Sequence, residues 1–592
     1  MRDLVMSILR TRSAAAILAA SLFVAACGGG GGDSSVPPGT PTAGGGAGGG
    51  SGGGTPAEPA SKIDSELEAT RFLARATFGG SKAEIASLNG RDAADWLASE
   101  FSKSTSLTLP TLTAQPRDSE GRLQSNIVDT LYWDHIIGSD DQVRQRMAFA
   151  LSQIVVYSDA ADNDQLMRAY YQDILIRNAF GNFRDLLEEV TYSPAMGEWL
   201  TYRGNRKGDE RSGRMPDENY AREILQLFSI GLIEMNMDGS PKLDAQGQQI
   251  ETYSNDDIEG LARVFTGLSW AGDEFNDRPQ DGDIRQMVMF SEQHSELDKV
   301  FLGTTVPAGT GGDESISIAL DTIFEHPNVA PFISRLLIQR FTQSDPSPAY
   351  IQSVATAFET GRFTAQGGRN FGTGERGDLR ATLAAVLLEP TTFTEPAANG
   401  SITSGKVREP ILRFTHWARA FDISGLNAYN ERRLSDTRSS DSSLGQQAFS
   451  SPSVFNFYRP GYIAPGTNAG DQNITVPEFQ IVNESSSVGY LNFMTDFAFD
   501  RASQRDRDID TYTPDYSDEM ALVDDPTALV DHLDNLLTGG RMSTLEKTDI
   551  VDIIDTIEIR TNTPENTAAD QEDMVQAAVT LVLNSPSYAV IY

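Results

Sequence analysis

Residues 215–232 read MPDENYAREILQLFSIGL and residues 253–270 read YSNDDIEGLARVFTGLSW, and these two stretches set the fold class. In the first, Pro216 suits an opening helical turn, and Asp217 and Glu218 place negative charge at the positive end of the helix dipole. Ala221, Ile224, Leu225 and Phe228 recur at helical spacing and make one apolar stripe, and Gly231 supplies a stop. In the second, Ser254 and Asp257 make a capping-box start, with Asp where Glu or Gln is usual. Leu261, Val264, Phe265 and Leu268 form its stripe. The pattern predicts two amphipathic helices joined by a long polar connection.

The same signals recur on both sides. Ser81 and Glu84 read as a capping box, and Ser139 with Gln142 as the cap of a helix running through Val155. Further helices are expected at 165–180, 183–200, 316–324, 329–341, 349–358, 379–388, 411–421, 477–499, 527–537, 545–557 and 570–583. Strand signals are few. Residues 286–290 and 299–301 are expected to pair as a short hairpin, and the 234–252 connection as another. The fold class is therefore mainly α: a multi-helix chain with one or two short β-hairpins. About 530 residues exceed the usual size of one core, so two helical lobes are expected, residues 62–360 and 378–592, joined by the Gly-rich connection 361–377. Arg432–Ser451 reads as a polar surface loop. Pro452–Tyr462, PSVFNFYRPGY, either walls a groove or packs a loop onto the core.

The polar face of the first helix carries the candidate site. Glu218 and Arg222 are four residues apart and can pair. In the site reading Arg222 orients a carboxylate or an anionic group, while Glu223, about 100° further round, escapes that pair and keeps a raised pKa as a general acid would. All three are expected to face inward; the rival reading is a structural ion pair. His294 is the fourth candidate. It sits in the loop 291–298 with Glu292, Glu296 and Asp298 close in sequence, and a carboxylate beside a His can orient it as a base or a ligand. The other four His read as structural: His135 and His416 packed on helices, His532 exposed, and His326 closing a helix where a cation suits the dipole. Asn236, Asp238 and Asp244 resemble a calcium loop, although Ala245 stands where a closing Glu would be expected. Turn chemistry accounts for the Asp-Gly pair equally well, so no cofactor is assigned.

ENYARE followed by LFSIGL and YSNDDIEGLARVFTGLSW resembles the bacterial family catalogued as domain of unknown function 1800. TRFLARATFGGSKAEIASL, FRDLLEEVTYSPAMGEWL, HPNVAPFISRLLIQRF and QAAVTLVLNSPSYAV fit the same family, so the resemblance runs from about Asp64 to Tyr592. Many members carry a His where Phe228 stands here, and the family shows a similar His near an acidic residue and a Lys. The resemblance implies a secreted or surface bacterial protein, often encoded beside a sulfatase-like companion, with no established activity.

The N-terminus supplies an address. Arg2, Arg10 and Arg12 precede a short apolar run that is too brief to span a bilayer, and it ends Val24-Ala25-Ala26-Cys27. Residues 1–26 read as a lipoprotein signal, with Cys27 the lipidated first residue. Gly28, where Asp would mark inner-membrane retention, points to the outer membrane or cell surface. Residues 27–61 are then the lipidated Cys and a Gly-rich linker. The 34 residues from Gly28 to Ser61 would reach about 30 Å root-mean-square as a flexible chain.

Removing residues 1–26 takes three Arg and one Asp from 47 basic and 83 acidic residues, which leaves 44 against 82, a formal charge of −38. Such a balance disfavours nucleic acid as a partner. Cys27 is the only Cys, so the mature fold holds no disulfide and no Cys nucleophile. No His-Glu-x-x-His, Gly-x-Ser-x-Gly, Walker loop or dinucleotide motif occurs. The leading expectation is a surface-anchored binding or assembly protein working with an exported partner. The alternatives are an extracytoplasmic hydrolase acting on polysaccharide or an ester through carboxylate acid–base chemistry, and a structural envelope protein.

Overall fold

The structure, a computed structural model, describes residues 61–161, 164–393, 405–424, 434–500 and 512–591. The signal, nearly all of the linker and Cys27 lie outside the described residues. The fold is mainly α-helical, with only short two-stranded antiparallel sheets. Two helices, Val329–Phe341 and Leu379–Leu388, have the bounds their apolar stripes predict. Both predicted capping boxes form. Ser81 and Glu84 bond each other's backbone at the start of Lys82–Leu88, and Ser254 and Asp257 do so at Asn255–Val264. Each such cap contributes about 1 kcal/mol.

Several expectations change. Ser139 does not cap the helix Gln142–Ser152; its hydroxyl bonds the His135 carbonyl at the end of the preceding helix, and Asp141 is the N-cap. Residues 477–499 are two elements, because Asn483 accepts the N–H groups of Ser485 and Ser486 and starts a new helix, Glu484–Ala498, after a short turn Pro477–Gln480. The strands pair locally. Leu268–Ser269 (β1) pairs with Val288–Met289 (β2), and Lys299–Phe301 (β3) with Thr304–Val306 (β4), so 286–290 and 299–301 are not partners. The 234–252 connection is held by isolated antiparallel bridges.

The expected border, the Gly-rich segment 361–377, has a fold of its own. It folds into the hairpin of Phe363–Thr364 (β5) and Asn370–Phe371 (β6), between two helices that pack on each other, Pro348–Thr360 and Leu379–Leu388. Its glycines serve tight backbone contact: Gly361 has φ +60°, and a Cβ there would stand 2.0 Å from the Glu375 carbonyl oxygen. One buried apolar cluster runs from Ile63 to Tyr588 and takes side chains from both sides of this segment. Near the C-terminus, Lys406–Val407 (β7) pairs with Val590–Ile591 (β8) and draws the chain end into the same body. No helix among the described residues is long and apolar enough to cross a membrane.

Candidate functional site

The two helices of the opening motif pack on each other, and the second also packs on β3. Gly260 permits this: a Cβ there would lie 1.8 Å from the Val300 carbonyl oxygen. That contact explains a glycine in a helix interior, where it costs about 1 kcal/mol. Beyond the helix, Gly267 (φ +94°) turns the chain, donates its N–H to the Asn205 carbonyl at 2.8 Å and accepts from Phe290 N–H at 2.8 Å. The Asn205 side chain in turn accepts from Asp217 N–H at 3.0 Å. Both ends of the motif are thus clamped to the loop 201–217.

Within this frame the candidate residues divide. Glu218 and Arg222 form their ion pair at 3.2 Å, with side chains 42% and 41% exposed. They lie at the surface and do not face inward. Such a pair contributes at most about 1 kcal/mol. Glu223 does turn inward. It is 7% exposed, and its Oε2 is buried with no partner among the described residues. Burial raises its pKa, and the Arg222 charge opposes that only in part.

His294 is buried too, at 3% exposure. Its partner is not a neighbouring carboxylate. Glu296 pairs with Lys207 and Asp298 accepts from Ala308 N–H, so both are engaged elsewhere. Instead His294 Nδ1–H donates to the Thr266 carbonyl at 2.8 Å. That bond fixes the tautomer and leaves Nε2 as a buried lone pair with no partner among the described residues. Burial lowers the His294 pKa against the raising effect of the Thr266 carbonyl, and Lys299 lowers it further. Lys299 is itself wholly buried on β3, where burial depresses its pKa and Asp298 resists. A neutral imidazole with a buried lone pair is chemically able to accept a proton or an N–H. Glu223 feels Arg222, whereas His294 feels Lys299, Asp313 and Lys207; the two groups titrate in separate surroundings.

The remaining His are structural. His416 and His135 are packed, and burial lowers both pKa values. His532 bonds the buried Glu519 at 2.7 Å and is only partly exposed. His326 is not a dipole cation: burial lowers its pKa, and Nδ1 accepts from Asn328 N–H at 3.2 Å. The calcium-like loop spends its carboxylates on turns. Asp238 accepts from Ser240, and Asp244 from Gln246 and Gln248 N–H. Among the described residues no group of three or more His, Cys, Asp or Glu side chains is placed to hold a metal ion.

Sequence reasoning missed a second polar region. The stretch read as a surface loop is buried at Thr437, Gln446, Gln447, Ser450 and Ser451, and part of it lines a small recess with Asn456 and Phe457. The Asn and Gln side chains among apolar neighbours were the only signal, and their partners lie far away in sequence.

The family described as "Protein of unknown function (DUF1800)" matches residues 71–590. No curated protein and no solved structure matches the chain. A match over nearly the whole chain shows that the chain belongs to the DUF1800 family.

Proposed function

We propose that this is an exported envelope protein, anchored by a lipid on Cys27, that binds an exported protein partner through the loops around the opening motif. The observation that carries the reading is the placement of exposed apolar side chains. Eight large apolar residues are exposed among the described residues, and six fall between 215 and 300: Met215, Leu232, Leu243, Val288, Leu297 and Val300. Met215 and Leu297 are 66% and 63% exposed. They sit on loops joined through Lys207, whose N–H donates to the Gln293 carbonyl at 2.8 Å and whose Nζ pairs with Glu296 at 3.1 Å. Exposed apolar side chains concentrated in one segment of an acidic chain fit a protein-binding face. The rival reading, acid–base hydrolysis, asks two carboxyls to converge on one bond, and it draws less support from Glu218 in solvent and Glu223 in the interior.

Two results follow. Cys27→Ser moves the protein from the membrane pellet to the soluble fraction; equal membrane binding of the two forms removes the anchor from the proposal. A photo-cross-linking residue at Leu297 gives a discrete adduct in intact cells, and one at Leu545, 69% exposed but outside this region, gives none. Identical patterns at both positions refute the docking face.

A further inference from the structure

We propose that the docking face recognises an acidic segment of its protein partner, a run of neighbouring Asp or Glu with an apolar residue among them, through the basic loop 203–214. The inference deepens the reading above and rests on it.

The first argument is charge. In a chain of 83 acidic and 47 basic residues, this loop sets Arg203, Arg206, Lys207, Arg211 and Arg214 against Asp209 and Glu210, five basic side chains to two acidic ones and a local balance of +3. Arg203 pairs with Glu198 and Lys207 with Glu296. Arg206, Arg211 and Arg214 are exposed, and none of the three is in an ion pair among the described residues. Acids close by are engaged otherwise. Asp209 accepts from Arg211 N–H at 3.0 Å and from the Ser212 hydroxyl at 2.8 Å. Asp217 accepts from Asn219 N–H at 2.8 Å and from the Thr201 hydroxyl at 3.0 Å. The acidic remainder of the molecule does not cancel the loop, because exposed charges more than about 8 Å apart are largely screened at physiological salt.

The second argument is preorganisation. Asp209 and Arg214 exchange backbone hydrogen bonds at 3.0 and 3.1 Å, which closes the tip of the loop around Arg211. Arg214 Nε donates to the Lys207 carbonyl at 3.0 Å. The Arg206 guanidinium lies 5.3 Å from the centre of the Phe275 ring, and Phe275 packs edge-on against Phe290 at 5.5 Å. A guanidinium laid on an aromatic face keeps its in-plane N–H groups for a carboxylate, which it can grip with two parallel hydrogen bonds. Side chains held this way lose less entropy on binding.

The third argument is position. Met215 follows Arg214 directly in the chain, and the Lys207 N–H bond to the Gln293 carbonyl ties the loop to the segment that carries Leu297. Both apolar side chains are more than half exposed. Unpaired guanidinium groups and bare apolar side chains therefore stand on joined loops. A peptide segment that mixes carboxylates with an apolar residue satisfies both features at once. An anionic glycan or a polyphosphate meets the arginines and has no apolar side chain to bury.

Fluorescence anisotropy of the full chain with labelled octapeptides, one of alternating Glu and Leu and one of alternating Gln and Leu, tests this. The Glu peptide binds about tenfold more tightly than the Gln peptide, its affinity falls as salt rises, and Arg206→Gln/Arg211→Gln removes the difference. Arg206→Lys/Arg211→Lys retains part of it, because the charge remains while the two-pronged grip is lost. Both pairs of substitutions lie at exposed positions, and melting curves confirm that the variants are folded. Equal affinity for the two peptides overturns the proposal, as does a Gln variant that binds the Glu peptide like wild type. In intact cells the cross-link at Leu297 separates this inference from the one beneath it. No adduct in the wild type removes the docking face and the inference together. An adduct of undiminished yield in Arg206→Gln/Arg211→Gln removes only the recognition of acids, and an adduct with a second copy of this chain overturns the assignment to a partner.

Discussion

Lys406→Met lowers the stability of the fold by about 3–5 kcal/mol, read from urea unfolding at neutral pH. The Lys406 ammonium and the Glu478 carboxylate form an ion pair with both side chains wholly buried. Removing the cation leaves Glu478 charged in a dry interior. Its remaining contact, the Ser344 hydroxyl at 2.9 Å, cannot replace a full counter-charge. The pair also ties three distant pieces together. Lys406 sits opposite Ile591 on β7, Ser344 N–H donates to the Gly405 carbonyl at 2.8 Å, and Glu478 lies on the turn Pro477–Gln480. The double variant Lys406→Met/Glu478→Leu recovers most of the loss, because two apolar side chains leave no orphaned charge. A single variant within about 1 kcal/mol of wild type would show that water reaches the pair.

These cases explain what the sequence could and could not reveal. Helix positions were legible because period and caps are local: Ser254 finds Asp257 three residues on, and the stripe of 329–341 repeats within one element. Strands of two or three residues carry no period, so the expected pairing of 286–290 with 299–301 missed that each pairs with another segment. The loop 432–451 misled for a related reason. Gln446 and Gln447 look like surface residues unless one knows that Glu409 and Asp129, 37 and 318 residues away, are buried beside them. Of the candidate site, the inward turn of Glu223 follows from its angle on the helix. The pairing of His294 with a backbone carbonyl does not, because every residue has that group. Flanking acids drew attention to His294, yet they are not what holds it.

Asp134 supplies a large pH effect. Burial raises its pKa to about 7 from a model-compound value of 3.8, and the Tyr512 hydroxyl, donating to Oδ1 at 2.5 Å, opposes the rise only in part. Its Oδ2 is buried with no partner among the described residues. As pH rises through 4 the unfolded chain releases this proton first, while the folded chain holds it until about 7. Between those values the unfolded state binds fewer protons, so the group's contribution to stability falls by about 1.4 kcal/mol per pH unit and then levels off. The accumulated loss is about 4 kcal/mol by pH 7. Asp134→Asn keeps the size and cannot ionise, so it escapes this loss. The variant and the wild type should unfold alike in urea near pH 4, and the variant should be more stable by roughly 4 kcal/mol at pH 8. Because only the difference between the two proteins is read, the other buried His and carboxylates cancel. A difference that stays constant from pH 4 to pH 8 would mean that Asp134 is ionised in the folded protein throughout, and that the interior at the Ile127–Gly138 helix is wetter than its packing indicates.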